Sequence, residues 1–312
     1  MSAAHEEMVE VDNDLPPGTV LGRGKYRIES SICSGGFGIV YRARDRKNTI
    51  FAIKEFFVDG VSIRGADGSV LSPTDYASEI EELMLLFSEE GWWPSLLSHP
   101  NVLRVLGYFE ENSTGYIVLE YIAGADLQDI MEHHPDWLEP RQIVQIATML
   151  CEGLQYLHQN GVVHGDISPD NVIIRGPVDP VLIDFGSSLF HDDNGPRNRA
   201  PAKMRAVKEG YSPPELYDRY VFPSWESDIY SLGATLYHMV VGAAPDGKEV
   251  GVNKPTVRAT LASFSNKFDR RFLQVISSAL STRQEERPTA ADISQVCRYV
   301  LAHPDSSSQR LH

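Results

Sequence analysis

His164-Gly165-Asp166-Ile167-Ser168-Pro169-Asp170-Asn171 runs into the apolar stretch Val172-Ile173-Ile174, and Val181-Leu182-Ile183-Asp184-Phe185-Gly186 follows soon after. Asp166, Asn171 and Asp184 offer a base and hard oxygen ligands at neighbouring strand ends. That set suits a hydroxyl nucleophile and a divalent cation such as Mg²⁺. Either stretch alone also reads as a polar turn between buried strands. Both together, in this order, do not.

Upstream, Ser34-Gly35-Gly36-Phe37-Gly38-Ile39-Val40 separates two predicted strands, Tyr26–Ile32 and Ile39–Ala43. Glycines there let backbone amides approach phosphate oxygens closely. A hairpin turn explains the glycines equally well, and no Walker-type Gly-Lys-Ser/Thr follows. Phe51-Ala52-Ile53-Lys54 lies in a third predicted strand, Thr49–Phe56, with Ile53 and Lys54 on opposite faces. A lone lysine in that position is commonly just solvated. Val58–Leu71 holds several glycines and is predicted to be a loop. Ser72-Pro73-Thr74-Asp75 predicts a helix start capped by Ser72. Tyr76, Ile80, Leu83 and Phe87 mark its inward face, and Glu90 continues it. An inward carboxylate needs a cationic partner. Pro94 should kink or end this helix.

Strand-like runs Val102–Phe109 and Tyr116–Tyr121 follow. After Gly124 the period becomes helical: Ile143, Ile146, Leu150, Leu154 and Leu157 form a stripe, and later helices are predicted near Trp225, Phe268 and Ala290. A strand-rich first third and a helix-rich remainder make the class α+β.

The chain has 312 residues and a formal net charge of -15. Such acidity repels nucleic acid and anionic lipid, so neither is expected as a partner. Cys33, Cys151 and Cys297 fit no disulfide framework and no zinc spacing, which predicts a reducing, cytoplasmic setting. Met1–Asp14 is acidic and lacks the apolar core of a targeting signal. Ile229–Ala244 is short for a bilayer and holds His238, so a buried helix rather than a membrane span is expected.

Taken together, these segments resemble the signature set of the protein kinase family over roughly residues 15–303. Gly210-Tyr211-Ser212-Pro213-Pro214-Glu215 resembles the end of a kinase activation segment. Ser227-Asp228-Ile229-Tyr230-Ser231-Leu232-Gly233 resembles the central helix of the C-lobe, and Arg287-Pro288 the arginine that pairs with Glu215. Gly35-Gly36-Phe37-Gly38 and Lys54-Glu55-Phe56-Phe57 most resemble bacterial Ser/Thr kinases. The resemblance implies a two-lobed protein kinase fold: an acidic tail (1–14), a β-rich N-lobe with one long helix (15–122), a helical C-lobe (123–304) and a C-terminal tail (305–312). It implies a Ser/Thr protein kinase that moves the ATP γ-phosphate to protein hydroxyls with Mg²⁺, Mn²⁺ being the alternative ion.

The same resemblance implies residue roles. Lys54 holds the α/β-phosphates and pairs with Glu90. Asp166 orients and deprotonates the acceptor hydroxyl, and Asn171 and Asp184 ligate the metal. Gly35, Gly36, Phe37 and Gly38 cover the phosphates. Leu119 walls the adenine, the backbones of Glu120 and Ile122 bond it, Val40, Ala52 and Ile173 sandwich it, and Asp126 accepts from the ribose. His164 is a packed structural histidine.

Four departures from the family pattern stand out. Cys33 occupies the first glycine position of the loop and is expected to be a packed, unreactive thiol. Gly165 replaces the arginine before the catalytic aspartate. No Ser or Thr occurs from Leu189 to Tyr211, so control by phosphorylation there is not expected; Ser187, Ser188 and Ser212 remain as differently placed acceptors. Ser168 and Lys208 stand exchanged relative to the lysine and threonine usual in the family, so Lys208 either supplies the missing ammonium to the γ-phosphate or is a solvated loop lysine. Cys33, Gly165 and Ser168 favour an alternative reading, a pseudokinase scaffold or nucleotide-binding switch. The complete set Lys54, Glu90, Asp166, Asn171 and Asp184 opposes it. His164-Gly165-Asp166 also resembles small-molecule phosphotransferases, whereas Tyr211–Glu215 and Arg287 do not.

Overall fold

The computed structural model describes residues 13–134, 138–192, 195–196, 207–218, 220–246 and 254–303. The chain forms two compact units. One takes in residues up to Ser95 with Val105–Tyr121, and the other Leu96–Arg104 with everything from Ile122 onward. The tails expected at 1–14 and 305–312 fall almost wholly outside the described residues.

The first unit is built on a six-stranded sheet in the order β1-β2-β3-β4-β8-β7. Its strands are β1 (Val20–Leu21), β2 (Tyr26–Gly35), β3 (Gly38–Asp45), β4 (Ile50–Phe56), β7 (Val105–Glu111) and β8 (Thr114–Glu120). The pairs are antiparallel, as short turns between β-branched and aromatic runs dictate. Register sorts side chains to two faces. Val40 lies opposite Lys54 and Ala52 opposite Leu119, so Val40, Ala52, Lys54 and Leu119 share one face. All four are partly exposed. Tyr41, Ile53 and Val118 align on the other face, which is fully buried. That second face forms a core with Leu15, Leu21, Tyr26, Ile28, Phe57, Val70 and Tyr116.

Helix α1 (Ala77–Trp92) lies on the Lys54 face: Phe87 packs on Phe56 with ring centroids 5.4 Å apart, and a Cβ on Gly91 would sit 3.1 Å from Ile117. The helix begins later than the sequence predicts. Thr74–Tyr76 forms a 3₁₀ turn first, Ser72 makes no cap, and Tyr76 is exposed. Pro73 sits before that turn rather than inside the α-helix. The α-helix stops at Trp92, and Pro94 falls in a 3₁₀ turn, Trp93–Leu96, as its missing N–H requires.

The segment 58–71 is not the loop the sequence predicts. It folds into a hairpin of β5 (Ile63–Arg64) and β6 (Val70–Leu71) whose Val70 enters the core. Glycines in its turn masked the two short strands. Cys33 is exposed rather than packed, because it stands in the part of β2 that runs out beyond the core.

In the second unit, β9 (Gly124–Asp126), β11 (Val172–Arg175) and β12 (Asp179–Leu182) form one small sheet in the order β12-β11-β9. β10 (Val162–Val163), β13 (Leu189–Asp192) and β14 (Gly195–Pro196) form another. The helices are α2 (Leu127–His133), α3 (Pro140–Gln159), α4 (Trp225–Val241), α5 (Lys254–Ser263), α6 (Arg270–Ala279) and α7 (Ala290–Ala302). Neither α2 nor α5 was legible as a periodic stripe. Helix α3 starts at a capping box of Glu139 and Gln142, and the stripe Ile143, Ile146, Leu150, Leu154, Leu157 is buried against α4 and α7. Helix α4 is buried on all sides from Ser227 to Tyr237, which explains its continuous apolar run. Among the described residues no helix is long and apolar enough to cross a membrane.

Candidate active site

The first unit holds a glycine-rich turn and an ion pair. Gly35 and Gly38 close the β2–β3 hairpin. At Gly38 a side chain is excluded, since a Cβ would lie 2.8 Å from the Glu55 carbonyl oxygen. Lys54, two positions along β4 from Ala52, points toward α1 and meets Glu90: Nζ to Oε1 is 2.6 Å, with both side chains largely buried. The pairing offsets the cost of taking the two groups out of water. Glu82 is exposed, as its position off the stripe implies. Leu119 and Glu120 end β8, while Ile122 is buried in the second unit.

The second unit gathers the polar residues of 164–171 and 184–186. The 164–166 backbone is fixed from below by Asp228, which is completely buried in α4. Its carboxylate accepts the N–H groups of His164 and Gly165, both at 2.8 Å, and the His158 Nε2 contact at 2.9 Å. A carboxylate inside an apolar helix is the sequence signal for such an anchor, and its partner could not be read from pattern. His164 is buried, its Nε2 3.2 Å from the Ile183 carbonyl oxygen.

Asn171 donates its Nδ2–H groups to the Asp166 carbonyl and to Asp166 Oδ2, each at 2.8 Å. This fixes the carboxylate and turns Asn171 Oδ1 away from it. Burial pushes the Asp166 carboxyl above the usual carboxylate range. The charges of Asp184 and Asp170 push the same way, and Lys208 and His164 oppose them. Asp184 is exposed, in a left-handed conformation (φ 65°), and its Oδ1 accepts the Gly186 N–H at 3.1 Å. Among the described residues no three His, Cys, Asp or Glu cluster as a metal site. One amide oxygen and one carboxylate, with water and phosphate completing the shell, match the oxygen preference of Mg²⁺, so the donor set fits that ion.

Lys208 reaches Ser168: Nζ donates to Ser168 Oγ at 2.8 Å. It also makes a contact the sequence did not disclose, a fork onto Asp170 at 2.7 and 2.6 Å, and its ammonium stands 4.0 Å from Asp166 Oδ2. Burial pushes the Asp170 carboxyl up, but the bonds from Lys208 and Ser168 outweigh it and hold the group below its ordinary value. Ser188 is buried and donates to the His164 carbonyl at 3.0 Å, which removes it as an accessible acceptor. Ser212 accepts the Lys208 backbone N–H at 2.9 Å. Most of the segment without Ser or Thr, including 197–206, lies outside the described residues.

Gly165 has a steric reason of its own. Its φ is +81°, and a Cβ would come within 2.4 Å of the Ser187 carbonyl oxygen. Gly165→Ala is expected to cost about 1–3 kcal/mol of folding stability, read as a lower denaturation midpoint with unchanged slope. Asp126 caps α2 by accepting the Asp129 N–H at 2.7 Å and lies beside Ile173 in the β9–β11 pairing. Arg287 forks onto Glu215 at 2.6 and 2.9 Å with its side chain fully buried, and also donates to the Ser281 and Glu226 carbonyls. This arginine–glutamate pair closes the segment that ends at Glu215.

Comparison with known proteins gives a consistent result. The protein kinase domain family matches residues 26–298. The serine/threonine-protein kinase pkn3 of Myxococcus xanthus is 29% identical over 287 residues, 86% of this chain and 48% of that protein. Serine/threonine-protein kinase PknB of Mycobacterium leprae is 30% identical over 226 residues, 71% of this chain and 33% of that protein. The chain thus spans half or less of these curated relatives. The solved structure PpkA-294, apo form, superposes with a TM-score of 0.76 at 28% identity, covering 91% of this chain and 99% of that one.

Proposed function

Because the chain belongs to the protein kinase family, we propose that it is an active Ser/Thr protein kinase, transferring the γ-phosphate of ATP to hydroxyls of a protein acceptor. The observation that carries this reading is the Asp166 carboxylate, oriented by Asn171 at 2.8 Å and faced by the Lys208 ammonium at 4.0 Å. Asp166 is the general base: it accepts a hydrogen bond from the acceptor hydroxyl, aligns it, and takes its proton. Lys54, fixed by Glu90, supplies positive charge to the α/β-phosphates, and Lys208 supplies it to the group in flight. Asn171 and Asp184 would hold Mg²⁺, which neutralises phosphate charge when bound. Val40, Ala52 and Leu119, sharing one partly exposed sheet face, suit a flat aromatic base.

The segment before Glu215 is proposed to need no phosphorylation. Gly165 leaves no room for a phosphate-reading side chain, and the Lys208 fork onto Asp170 already fastens the end of that segment to residues 168–170. The test uses radiolabelled ATP, Mg²⁺ and a panel of protein and small-molecule acceptors with protein that carries no phosphate. Label on Ser or Thr of a protein, without a lag, is the expected result. Label only on small molecules, or on nothing while ATP still binds, would replace this reading with the phosphotransferase or the pseudokinase.

A further inference from the structure

Two features of the first unit have no part in that chemistry: the carboxylate of Glu55 and the hairpin 63–71. Glu55 follows Lys54 on β4 and so points to the opposite, buried face, where its exposure is 0%. There it accepts four hydrogen bonds. Tyr41 and Tyr116 donate their hydroxyls at 2.7 Å each, and Arg64 donates Nη1 and Nη2 at 2.6 and 2.5 Å. Burial and the Glu55 charge push both tyrosine hydroxyls above their ordinary range, so they remain donors.

Arg64 is brought to Glu55 by the hairpin and bonds further. It donates to the Asn13 carbonyl at 2.8 and 3.0 Å and to the Gly68 carbonyl at 3.2 Å, and its guanidinium lies 5.2 Å from the Phe57 ring centre. One guanidinium therefore ties together β4, the hairpin and the segment leading into β1.

The same stretch of chain holds the glycine-rich turn. The Glu55 carbonyl lies under Gly38, the Phe57 N–H bonds to the Phe37 carbonyl at 3.4 Å, and the Asp59 N–H bonds to the Gly36 carbonyl at 3.1 Å. Side-chain packing gives the tip little support. A Cβ at Gly35 or Gly36 would meet nothing within 4 Å, and Phe37 is exposed. Residues 57–59 are held in turn by Ser62, whose Oγ accepts the Val58 N–H at 3.1 Å and whose N–H bonds to the Val58 carbonyl at 2.8 Å.

We propose that Arg64 is a positioning residue for the nucleotide's phosphates: by clamping Glu55 and the hairpin it fixes residues 57–59, which hold the glycine-rich turn in its phosphate-receiving shape. The proposal rests on the kinase reading of Gly35–Gly38. Preorganised backbone donors bind more tightly because less freedom is lost on binding, and here the effect is confined to the phosphate end of the ligand.

Calorimetry on the full chain, with Mg²⁺, ATP and separately adenosine, tests it. Arg64→Gln is expected to weaken ATP about tenfold and adenosine less than twofold. The double variant Glu55→Gln/Arg64→Gln leaves no unpaired buried charge, and it is expected to show the same ATP-specific loss should the single variant fail to fold. Arg64→Lys, which keeps the charge without the fork, should recover part of the affinity. Parallel loss of ATP and adenosine affinity, or no loss for either, overturns the proposal while the kinase reading stands. Wild-type protein that binds neither ligand overturns the kinase reading and this proposal with it.

Discussion

Asp166→Asn protein is expected to fold and bind nucleotide like the wild type and to transfer phosphate about a thousandfold more slowly. Asn is close to isosteric and its Oδ1 still accepts from Asn171 Nδ2, so the 2.8 Å contact survives the change. The lost property is basicity. In the wild type the base works only when ionised, and burial with two nearby carboxylates raises the Asp166 carboxyl. The rate should therefore rise with pH through an apparent pKa above the ordinary carboxylate value. A pH profile of kcat/KM measures that limb directly, and unchanged turnover of Asp166→Asn would remove Asp166 from the chemistry.

Lys208→Ala is expected to lower kcat about a hundredfold or more, with a smaller change in the KM for ATP, as for a charge that acts chiefly on the transition state. Lys208 is also one of the groups that hold the Asp166 carboxyl down. Its removal should therefore shift the acid limb of the profile to higher pH. A lysine that only braces the loop through Asp170 predicts a different pattern: Asp170→Asn would then be as damaging as Lys208→Ala, although it removes a charge that raises the Asp166 carboxyl and so moves the acid limb to lower pH. Because Asp170 takes both short contacts of the ammonium, 2.7 and 2.6 Å, the two roles are separable by this comparison.

The exchange of Ser168 and Lys208 was visible as two unusual residue types, but it left a solvated lysine equally open, and packing decided the contact. Asp170 was not visible, since an aspartate in a polar turn has many uses and nothing local names its partner. Gly165 was legible as a missing arginine. Its steric cause, the Ser187 carbonyl 2.4 Å from where a Cβ would stand, needed coordinates. Segment 58–71 was misread because two-residue strands carry no periodicity; they are stabilised by Arg64 and Val70 rather than by their own pattern.

By itself the chain's order of residues determined the α+β class, the long helices with full apolar stripes, and the identity of the polar side chains that chemistry would need. Those properties are local, set by period, turn residues and charge within a few positions. Which of these buried charges met which was decided only by packing: Glu55 with Arg64, and Asp228 with His158 and the 164–165 backbone. An ion's partner is fixed by where the fold excludes water from both, and that is a property of the assembled chain.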